Sequence, residues 1–255
     1  MEFKDQTGRI ITLNTYPGRI VSLVPSQTEL LFDLGLKDRV VGRTAYCIHP
    51  ESIKNVQSVG GTKKQILHKV RSLKPDLIIG NKEENTREMI DQLAADYPVW
   101  LSDVRSMPQA LDMISSIGDI TGTSDKAQEL AAAIKSGFDR IESSFVGRAA
   151  YLIWEKPTMA VGRDTFIHAV IEHLGFKNAI KAERYPEITL DTLKATAPDF
   201  LWLSSEPFPY TLEHVREYQA ALPHTKVQIV DGEMFSWYGS RLLKSIQYFK
   251  DFNPH

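Results

Sequence analysis

The chain has 255 residues, of which 42% are hydrophobic and 24% are charged, a composition that allows a packed core and excludes a largely disordered protein. Its 30 Lys and Arg nearly balance 32 Asp and Glu, so the formal net charge of −2 gives no overall attraction to nucleic acid. The single cysteine, Cys47, excludes an intramolecular disulfide and a cysteine-rich metal module, and no apolar run is long enough to cross a bilayer. We therefore expect a globular monomer with no nucleic-acid partner and no membrane insertion.

Short buried strands alternate with helices along the first half of the chain. The first strand covers residues 19–24, and Ser26 followed by Glu29 has the spacing of a capping box, which predicts a helix that ends at Gly35. Further strands are predicted at residues 40–45, 77–79 and 99–101, and further helices at residues 65–73, 83–95 and 108–117.

In the middle of the chain one helical pattern continues much further. Leu130, Ile134, Phe138 and Ile141 recur at helical spacing, which predicts a long helix over residues 124–145. Alternation then resumes, with strands predicted at residues 149–154, 200–203 and 226–230 and helices at residues 164–174, 190–195, 212–221 and 239–249. Alternation of this kind is typical of parallel β-α-β units.

Two short patterns occur in the same order on each side of the long helix. Residues 34–37 (LGLK) return as 174–177 (LGFK), and residues 73–79 (LKPDLII) return as 196–202 (TAPDFLW). We therefore predict an α/β fold with two Rossmann-like lobes, each with a parallel sheet, bridged by a single long α-helix. The predicted boundaries are 1–120 for the first lobe, 121–146 for the linker helix and 147–255 for the second lobe.

The candidate ligand site lies in the strand-end loops, because open parallel sheets bind ligands beyond the carboxyl ends of their strands. The loop at residues 231–241 carries Phe235, Trp237 and Tyr238, which suit a flat hydrophobic ligand but could also pack between lobes. Arg241 has two interpretations, contact with a ligand carboxylate or amide, or an ion pair with Asp231. The other strand-end loops add the candidates Tyr46, Trp154, Glu206, Phe208 and Glu233.

Cys47 and His49 are two residues apart in a strand-end loop. Extended backbone would point both side chains the same way, and a thiolate with an imidazole suits zinc, copper or iron. Four acidic residues of facing loops could complete such a metal site: Glu83, Glu84, Glu206 and Glu233. The alternatives are a buried structural cysteine beside a histidine that packs on Pro50, and an acidic first helical turn at residues 83–84.

Catalysis has less support than binding. The sequence has no phosphate-binding loop, dinucleotide fingerprint, nucleophile elbow or His-Glu-x-x-His motif. A Cys47 nucleophile with His49 as its base lacks a nameable third group to orient the base. We therefore predict that the protein is not an enzyme.

Three motifs and the long mid-chain helix resemble the helical-backbone (class III) periplasmic binding proteins, the substrate-binding components of ABC importers. The motifs are residues 19–30 (RIVSLVPSQTEL), 59–62 (VGGT) and 73–79 (LKPDLII), and the resemblance extends over essentially the whole chain. Within that superfamily the chain resembles the vitamin B12 (cobalamin)-binding branch, and it resembles more closely a subgroup of helical-backbone metal receptors or cobalamin-binding proteins. The shared residues of that subgroup are 42–44 (GRT), 47–50 (CIHP), 81–85 (NKEEN) and 231–241 (DGEMFSWYGSR). The resemblance implies a bound ligand, cobalamin, haem or a ferric siderophore, and no required cofactor.

The resemblance also implies where the ligand binds. In the cobalamin-binding branch the corrinoid lies between the lobes on aromatic side chains, and Tyr46, Trp154 and Tyr185 fall at similar places in this sequence. Glu233 and Trp237 fall near the positions of the branch's polar contacts.

The same resemblance implies a permease partner. One surface glutamate of each lobe pairs with permease arginines in the family, and the matching places here hold His68 and Asp191, with Glu83 and Glu84 as alternatives for the first.

We expect a substrate-binding protein that holds a corrinoid or iron chelate between two lobes and delivers it to an ABC importer. The resemblance implies a periplasmic or extracytoplasmic location. The sequence as given begins without a secretory signal. The alternative is therefore a soluble cytoplasmic metal- or cobalamin-binding protein with no permease partner.

Overall fold

The chain forms two compact units in a computed structural model, which describes residues 1–62, 67–141 and 146–252. Unit 1 comprises Met1–Val104, Pro108–Lys135 and Tyr238–Arg241. Unit 2 comprises Arg105–Met107, Ser136–Trp237 and Leu242–His255. The short segment Tyr238–Arg241 therefore belongs to unit 1, although the chain on either side of it belongs to unit 2.

Unit 1 contains an antiparallel hairpin and a parallel sheet. The hairpin pairs β1 (Glu2–Lys4) with β2 (Ile10–Thr12). The sheet strands are β3 (Ile20–Ser22), β4 (Val40–Arg43), β5 (Gln57–Ser58), β6 (Leu77–Asn81) and β7 (Val99–Ser102). Their order is β5-β4-β3-β6-β7, and every described neighbour pair is parallel. All residues of β6 are buried, as expected for a strand with packing on both faces.

The helices of unit 1 bury apolar side chains. They are α1 (Pro25–Asp33), α2 (Leu67–Ser72), α3 (Arg87–Ala94), α4 (Met107–Thr121) and α5 (Ser124–Phe138), with a 3₁₀ helix at Glu51–Asn55. On α3, Met89, Ile90 and Leu93 recur at helical spacing and join the buried cluster that contains Ile78 and Leu101 of the sheet. Helix α4 begins at Met107 of unit 2, and α5 passes from unit 1 into unit 2 after Lys135.

Unit 2 contains a second parallel sheet. Its strands are β8 (Arg148–Trp154), β9 (Met159–Ala160), β10 (Lys177–Asn178), β11 (Phe200–Ser204) and β12 (Lys226–Val230). The order is β10-β8-β11-β12, all parallel, and β9 pairs antiparallel with β8. The helices are α6 (Phe166–His173), α7 (Leu190–Thr196), α8 (Leu212–Ala221), α9 (Gly232–Ser236) and α10 (Leu242–Asp251).

The predicted α/β fold with parallel sheets is confirmed, and the differences concern element ends. The helix predicted over residues 124–145 is observed as Ser124–Phe138, and residues 142–145 lie outside the described part of the chain. The helix predicted at residues 65–73 is described only from Leu67. Within the described residues, no helix has both the length and the hydropathy needed to span a membrane.

The capping box predicted for Ser26 and Glu29 is wrong. Helix α1 begins one residue earlier, with Pro25 in its first turn and Val24 at the N-cap, where no side chain caps the helix. Proline suits the first helical position because its φ is already helical and it has no N–H to satisfy. Ser26 is therefore inside the helix, and the Glu29 carboxylate binds Arg241 instead.

Candidate functional site

An exposed tyrosine follows the carboxyl end of β4 in unit 1. Tyr46 is 63% exposed and is followed by buried Cys47, exposed Ile48 and half-buried His49. An exposed aromatic ring offers a large apolar surface that a bound molecule can remove from water. Tyr46 is thus exposed after a strand end, and its ligand contact stays a prediction.

The thiol of Cys47 is buried between two hydroxyl groups. Its Sγ lies 3.1 Å from the Thr28 Oγ1 and 3.2 Å from the Thr44 Oγ1. Burial raises the pKa of this thiol, and the hydroxyl contacts and the nearby Arg43 charge oppose that rise only in part. Because the neutral thiol is a poor nucleophile and a poor metal ligand, Cys47 fits the structural alternative.

Two asparagines fold the loop that follows β6. The Asn81 Oδ1 accepts hydrogen bonds from the backbone N–H groups of Glu83 (2.8 Å) and Glu84 (3.1 Å). The Asn85 Oδ1 accepts from the Asn81 N–H (2.9 Å), and its Nδ2 donates to the Thr62 carbonyl (2.8 Å). The interpretation of residues 83–84 as a first helical turn is wrong, because α3 begins only at Arg87. An Asn-x-x-x-Asn spacing after a buried strand is the sequence signal that could have revealed this turn.

The predicted metal ligands do not form a cluster among the residues that the structure describes. Glu83 and Glu84 are half-buried, and among the described residues no three His, Cys, Asp or Glu side chains form a group that could hold a metal ion. A direct metal site at Cys47, His49, Glu83 and Glu84 stays a prediction.

Unit 2 presents an aromatic surface at the carboxyl ends of β8 and β11. Trp154 ends β8, is 39% exposed and meets the Phe208 ring edge-on at 5.9 Å between centroids. Phe208 contacts the Tyr210 ring at 4.8 Å, and the Tyr210 hydroxyl donates to the Trp154 carbonyl (2.9 Å). The two strand ends are thereby fixed to each other, so Trp154 and Phe208 form a supported apolar surface.

Glu206 is held by two groups at the carboxyl end of α9. The Trp237 indole N–H donates to Glu206 Oε1 (2.7 Å), and the Ser236 hydroxyl donates to the same oxygen (3.1 Å). Burial raises the pKa of the Glu206 carboxyl, the indole bond lowers it, and the charges of Glu233 and Asp231 raise it further. Trp237 is buried and holds this carboxyl, while Glu233 is half-buried.

Phe235 is a core residue, so its predicted ligand contact is wrong. Its side chain is completely buried and packs against Tyr151 (5.3 Å), Trp202 (5.6 Å) and Phe249 (4.9 Å). The sequence reasoning failed because α9 forms inside the predicted loop and turns this side chain inward.

Arg241 forms a buried ion pair with Glu29 in unit 1. Its Nε and Nη2 donate to the two carboxylate oxygens of Glu29 at 2.7 and 2.8 Å, and both side chains are buried. The Asp231 carboxylate accepts from the Glu233 N–H at the start of α9. A ligand contact of Arg241 stays a prediction. Tyr238 is also buried in unit 1. No sequence signal connects residues 29 and 241, since they are 212 positions apart.

The remaining predicted residues lie on the surfaces of their own units. Tyr185 is half-buried, with the Arg184 guanidinium 5.8 Å from its ring centroid. His68 is exposed on α2, and Asp191 is exposed in the first turn of α7. Exposed side chains such as these are available to a partner protein.

The fold agrees with the comparisons to known proteins. Residues 20–221 match the periplasmic binding protein family, so the chain belongs to that family and the resemblance seen in the sequence is confirmed. It is 27% identical to the ABC transporter substrate-binding lipoprotein YvrC of Bacillus subtilis, over 95% of this chain and 82% of that one. It is 26% identical to the vitamin B12-binding protein of Yersinia pestis, over 76% and 74% of the two chains.

A solved structure shows the same fold. The periplasmic haem-binding protein RhuT from Roseiflexus sp. RS-1 has a TM-score of 0.77 and 22% identity, with 91% of this chain and 98% of that chain covered.

Proposed function

We propose that the protein is the extracytoplasmic substrate-binding component of an ABC importer, and that its strand-end loops hold a metal chelate such as cobalamin, haem or a ferric siderophore. Family membership over residues 20–221 carries this proposal. The similar proteins include a substrate-binding lipoprotein, a vitamin B12-binding protein and a haem-binding protein, and they support that ligand range.

Exposed aromatic groups support a large, flat and partly apolar ligand. Tyr46 in unit 1 and Trp154 in unit 2 both follow strand ends, and both are exposed. Covering an aromatic side chain with ligand removes apolar surface from water and is worth roughly 1.5–3 kcal/mol for full burial. The proposal assigns ligand contacts to these two residues and to Phe208 and Tyr185.

The polar part of the ligand would meet Glu206 and Glu233. Glu206 is preorganised by the Trp237 and Ser236 hydrogen bonds, so it needs no rearrangement to accept or donate a bond to a ligand amide. The proposed protein binds its ligand without converting it. The Cys47 thiol supports this, because burial raises its pKa and keeps it protonated, which makes it a poor nucleophile.

The proposal also includes docking on a permease through exposed charge. Asp191, exposed in the first turn of α7, offers a carboxylate to permease arginines, and His68, exposed on α2, holds the matching place in unit 1. Asp191→Arg should impair uptake in a reconstituted importer while leaving ligand affinity unchanged. Unimpaired uptake by this variant removes Asp191 from the docking surface.

The binding proposal is tested by tryptophan-fluorescence titration with cyanocobalamin, haemin, ferrichrome and free Zn²⁺. Saturable binding of one chelate is expected, weakened about tenfold in Tyr46→Ala and Trp154→Ala. Tyr16→Ala is the matched control, because Tyr16 is 53% exposed but precedes β3 and is not at a strand's carboxyl end. Binding of Zn²⁺ alone, lost in His49→Ala, would favour a direct metal site. No saturable response to any chelate would overturn the proposal.

A further inference from the structure

One edge of the parallel sheet in unit 1 is formed by β7. Among the described residues, β7 comes last in the strand order β5-β4-β3-β6-β7 and pairs only with β6. The Pro98 and Ser102 carbonyls accept hydrogen bonds from backbone N–H groups on the side of β6. Because successive residues of a strand direct their N–H and C=O groups to opposite sides, Val99, Leu101 and Asp103 direct theirs away from β6. Such outward groups are a template on which another chain can pair.

The turn of the N-terminal hairpin occupies these outward groups. The Leu101 carbonyl accepts from the Gln6 N–H (3.1 Å), and the Leu101 N–H donates to the Asp5 Oδ2 (3.3 Å). The Asp103 N–H donates to the Gln6 Oε1 (3.0 Å). Residues 5–9, which connect β1 to β2 and are called the edge cover below, therefore bond the edge of β7 where a neighbouring strand would bond it.

Two further contacts attach the edge cover at its ends. The Arg9 Nη2 donates to the Val99 carbonyl (3.1 Å), which adds a fourth bonded backbone group to the edge. The Gln6 Nε2 donates to the Gln109 carbonyl (2.9 Å) and to the Asp112 Oδ2 (2.9 Å), both on α4. The edge cover is therefore attached to the strand edge and also to a helix of the same unit.

The shape of the edge cover is fixed by Asp5. The Asp5 side chain is buried, and its Oδ1 accepts from the Thr7 N–H (2.9 Å), the Thr7 hydroxyl (2.8 Å) and the Arg9 N–H (2.8 Å). Gly8 has a φ of 92°, a left-handed conformation that glycine adopts without strain. The groups that bond β7 are thus displayed from a preorganised turn.

The strand beneath the edge cover has the composition of a pairing segment. Residues 99–102 (VWLS) are buried and carry no charge. Val and Trp favour strands, and uncharged apolar segments at a sheet edge pair readily with identical segments. A second copy of the chain offers the same N–H and C=O groups at the same spacing, so two β7 edges can pair about a two-fold axis. The occupant that best fits this edge is therefore a second copy of the protein.

We infer that the edge cover keeps the protein monomeric by excluding a second copy of the chain from β7, and that its displacement turns this edge into a self-association surface. Three of the four bonds to the edge come from the side chains of Asp5, Gln6 and Arg9. The edge cover therefore satisfies β7 without adding another strand to the parallel sheet. This role concerns unit 1 alone and does not depend on the ligand proposed above.

The test measures the molar mass of the full chain by size-exclusion chromatography with light scattering, from about 1 to about 100 μM. The double variant Asp5→Ala with Gln6→Ala removes two side-chain bonds to β7 and the support of the turn. Lys4→Ala, at an exposed position of the same hairpin, is the control. Asp103→Pro added to the double variant removes one outward N–H and leaves the bonds to β6 in place.

The wild type and Lys4→Ala should keep the monomer mass of 28.8 kDa, while the double variant should approach twice that mass as its concentration rises. Adding Asp103→Pro should return the double variant to the monomer mass. Circular dichroism shows whether each variant is folded; if the double variant is not, Gln6→Ala alone, which loses only side-chain bonds, decides by the same criteria. A dimeric wild type, a folded variant that stays monomeric throughout, or a dimer that Asp103→Pro does not dissociate would overturn the inference.

Discussion

Loss of the Glu29 charge should strongly destabilise unit 1. The Glu29 carboxylate and the Arg241 guanidinium form two hydrogen bonds of 2.7 and 2.8 Å, and each side chain is only 5% exposed. Glu29→Gln preserves the shape but leaves a buried positive charge without its anion. Removing one partner of a buried ion pair costs about 3–5 kcal/mol, a large part of the roughly 5–15 kcal/mol that stabilises a typical domain.

Urea unfolding followed by far-ultraviolet circular dichroism gives the free energy of unfolding that checks this value. Glu51→Gln is the matched control, because the Glu51–Lys54 pair spans 3.1 Å but is 88% and 69% exposed, and exposed pairs contribute little. Replacing both buried partners, as in Glu29→Gln with Arg241→Met, should recover part of the loss. A decrease below about 1 kcal/mol for Glu29→Gln would refute the reasoning that this pair is buried and coupled.

Three further outcomes follow from individual groups. Because burial raises the pKa of the Cys47 thiol, Ellman's reagent should label Cys47 slowly in the folded protein and rapidly in urea; rapid labelling of the native protein contradicts its burial. The pKa of the Glu206 carboxyl is raised above its ordinary 4.5, so its contribution to stability is complete below that pH and is lost as the pH rises through the raised pKa. The Glu206→Gln variant keeps an oxygen that accepts the Trp237 indole hydrogen bond, but its side chain does not titrate. The melting temperature of this variant should therefore fall less than that of the wild type between about pH 4.5 and 7. Equal decreases in the two proteins would contradict the raised pKa of Glu206. Gly162→Ala should cost more than about 2 kcal/mol in urea unfolding, because its Cβ would lie 2.1 Å from the Ala182 carbonyl oxygen. Gly18→Ala should be nearly neutral, because its Cβ would lie 3.6 Å from the Asp76 Oδ2, an ordinary van der Waals distance, and equal losses in the two variants would refute the steric explanation.

The architecture could be predicted because its signals are local and repeated. The apolar run at β6 and the helical spacing of apolar residues on α3 both result from burial in the same core. Each pattern lies within a short stretch of chain, so it can be recognised from the sequence alone. Tyr46 and Trp154 are predicted at strand ends, and the structure has both there and exposed. These features depend on neighbours in the chain.

The rest of the candidate site depends on contacts between distant residues. Ser26 and Glu29 have the spacing of a capping box, but α1 begins one residue earlier, at Pro25. The Glu29 carboxylate accepts a hydrogen bond from Arg241 instead of capping the helix. The sequence around Phe235 is typical of a loop, yet the short helix α9 forms there and directs the Phe235 side chain into the aromatic core. In both cases tertiary packing overrode a correct local pattern.

The assignment of Tyr238–Arg241 to unit 1 has a consequence for biosynthesis. Residues 1–104 leave the ribosome early, but the ion pair between Glu29 and Arg241 forms only after residue 241 has been translated. Domains usually fold as units in N-terminal order during synthesis, whereas the first unit here gains this buried pair only after most of unit 2 has been made. A fragment that stops after α5 should therefore be a poor expression target, and a circular permutation that brings residues 238–241 next to the N-terminal unit would let that unit complete itself.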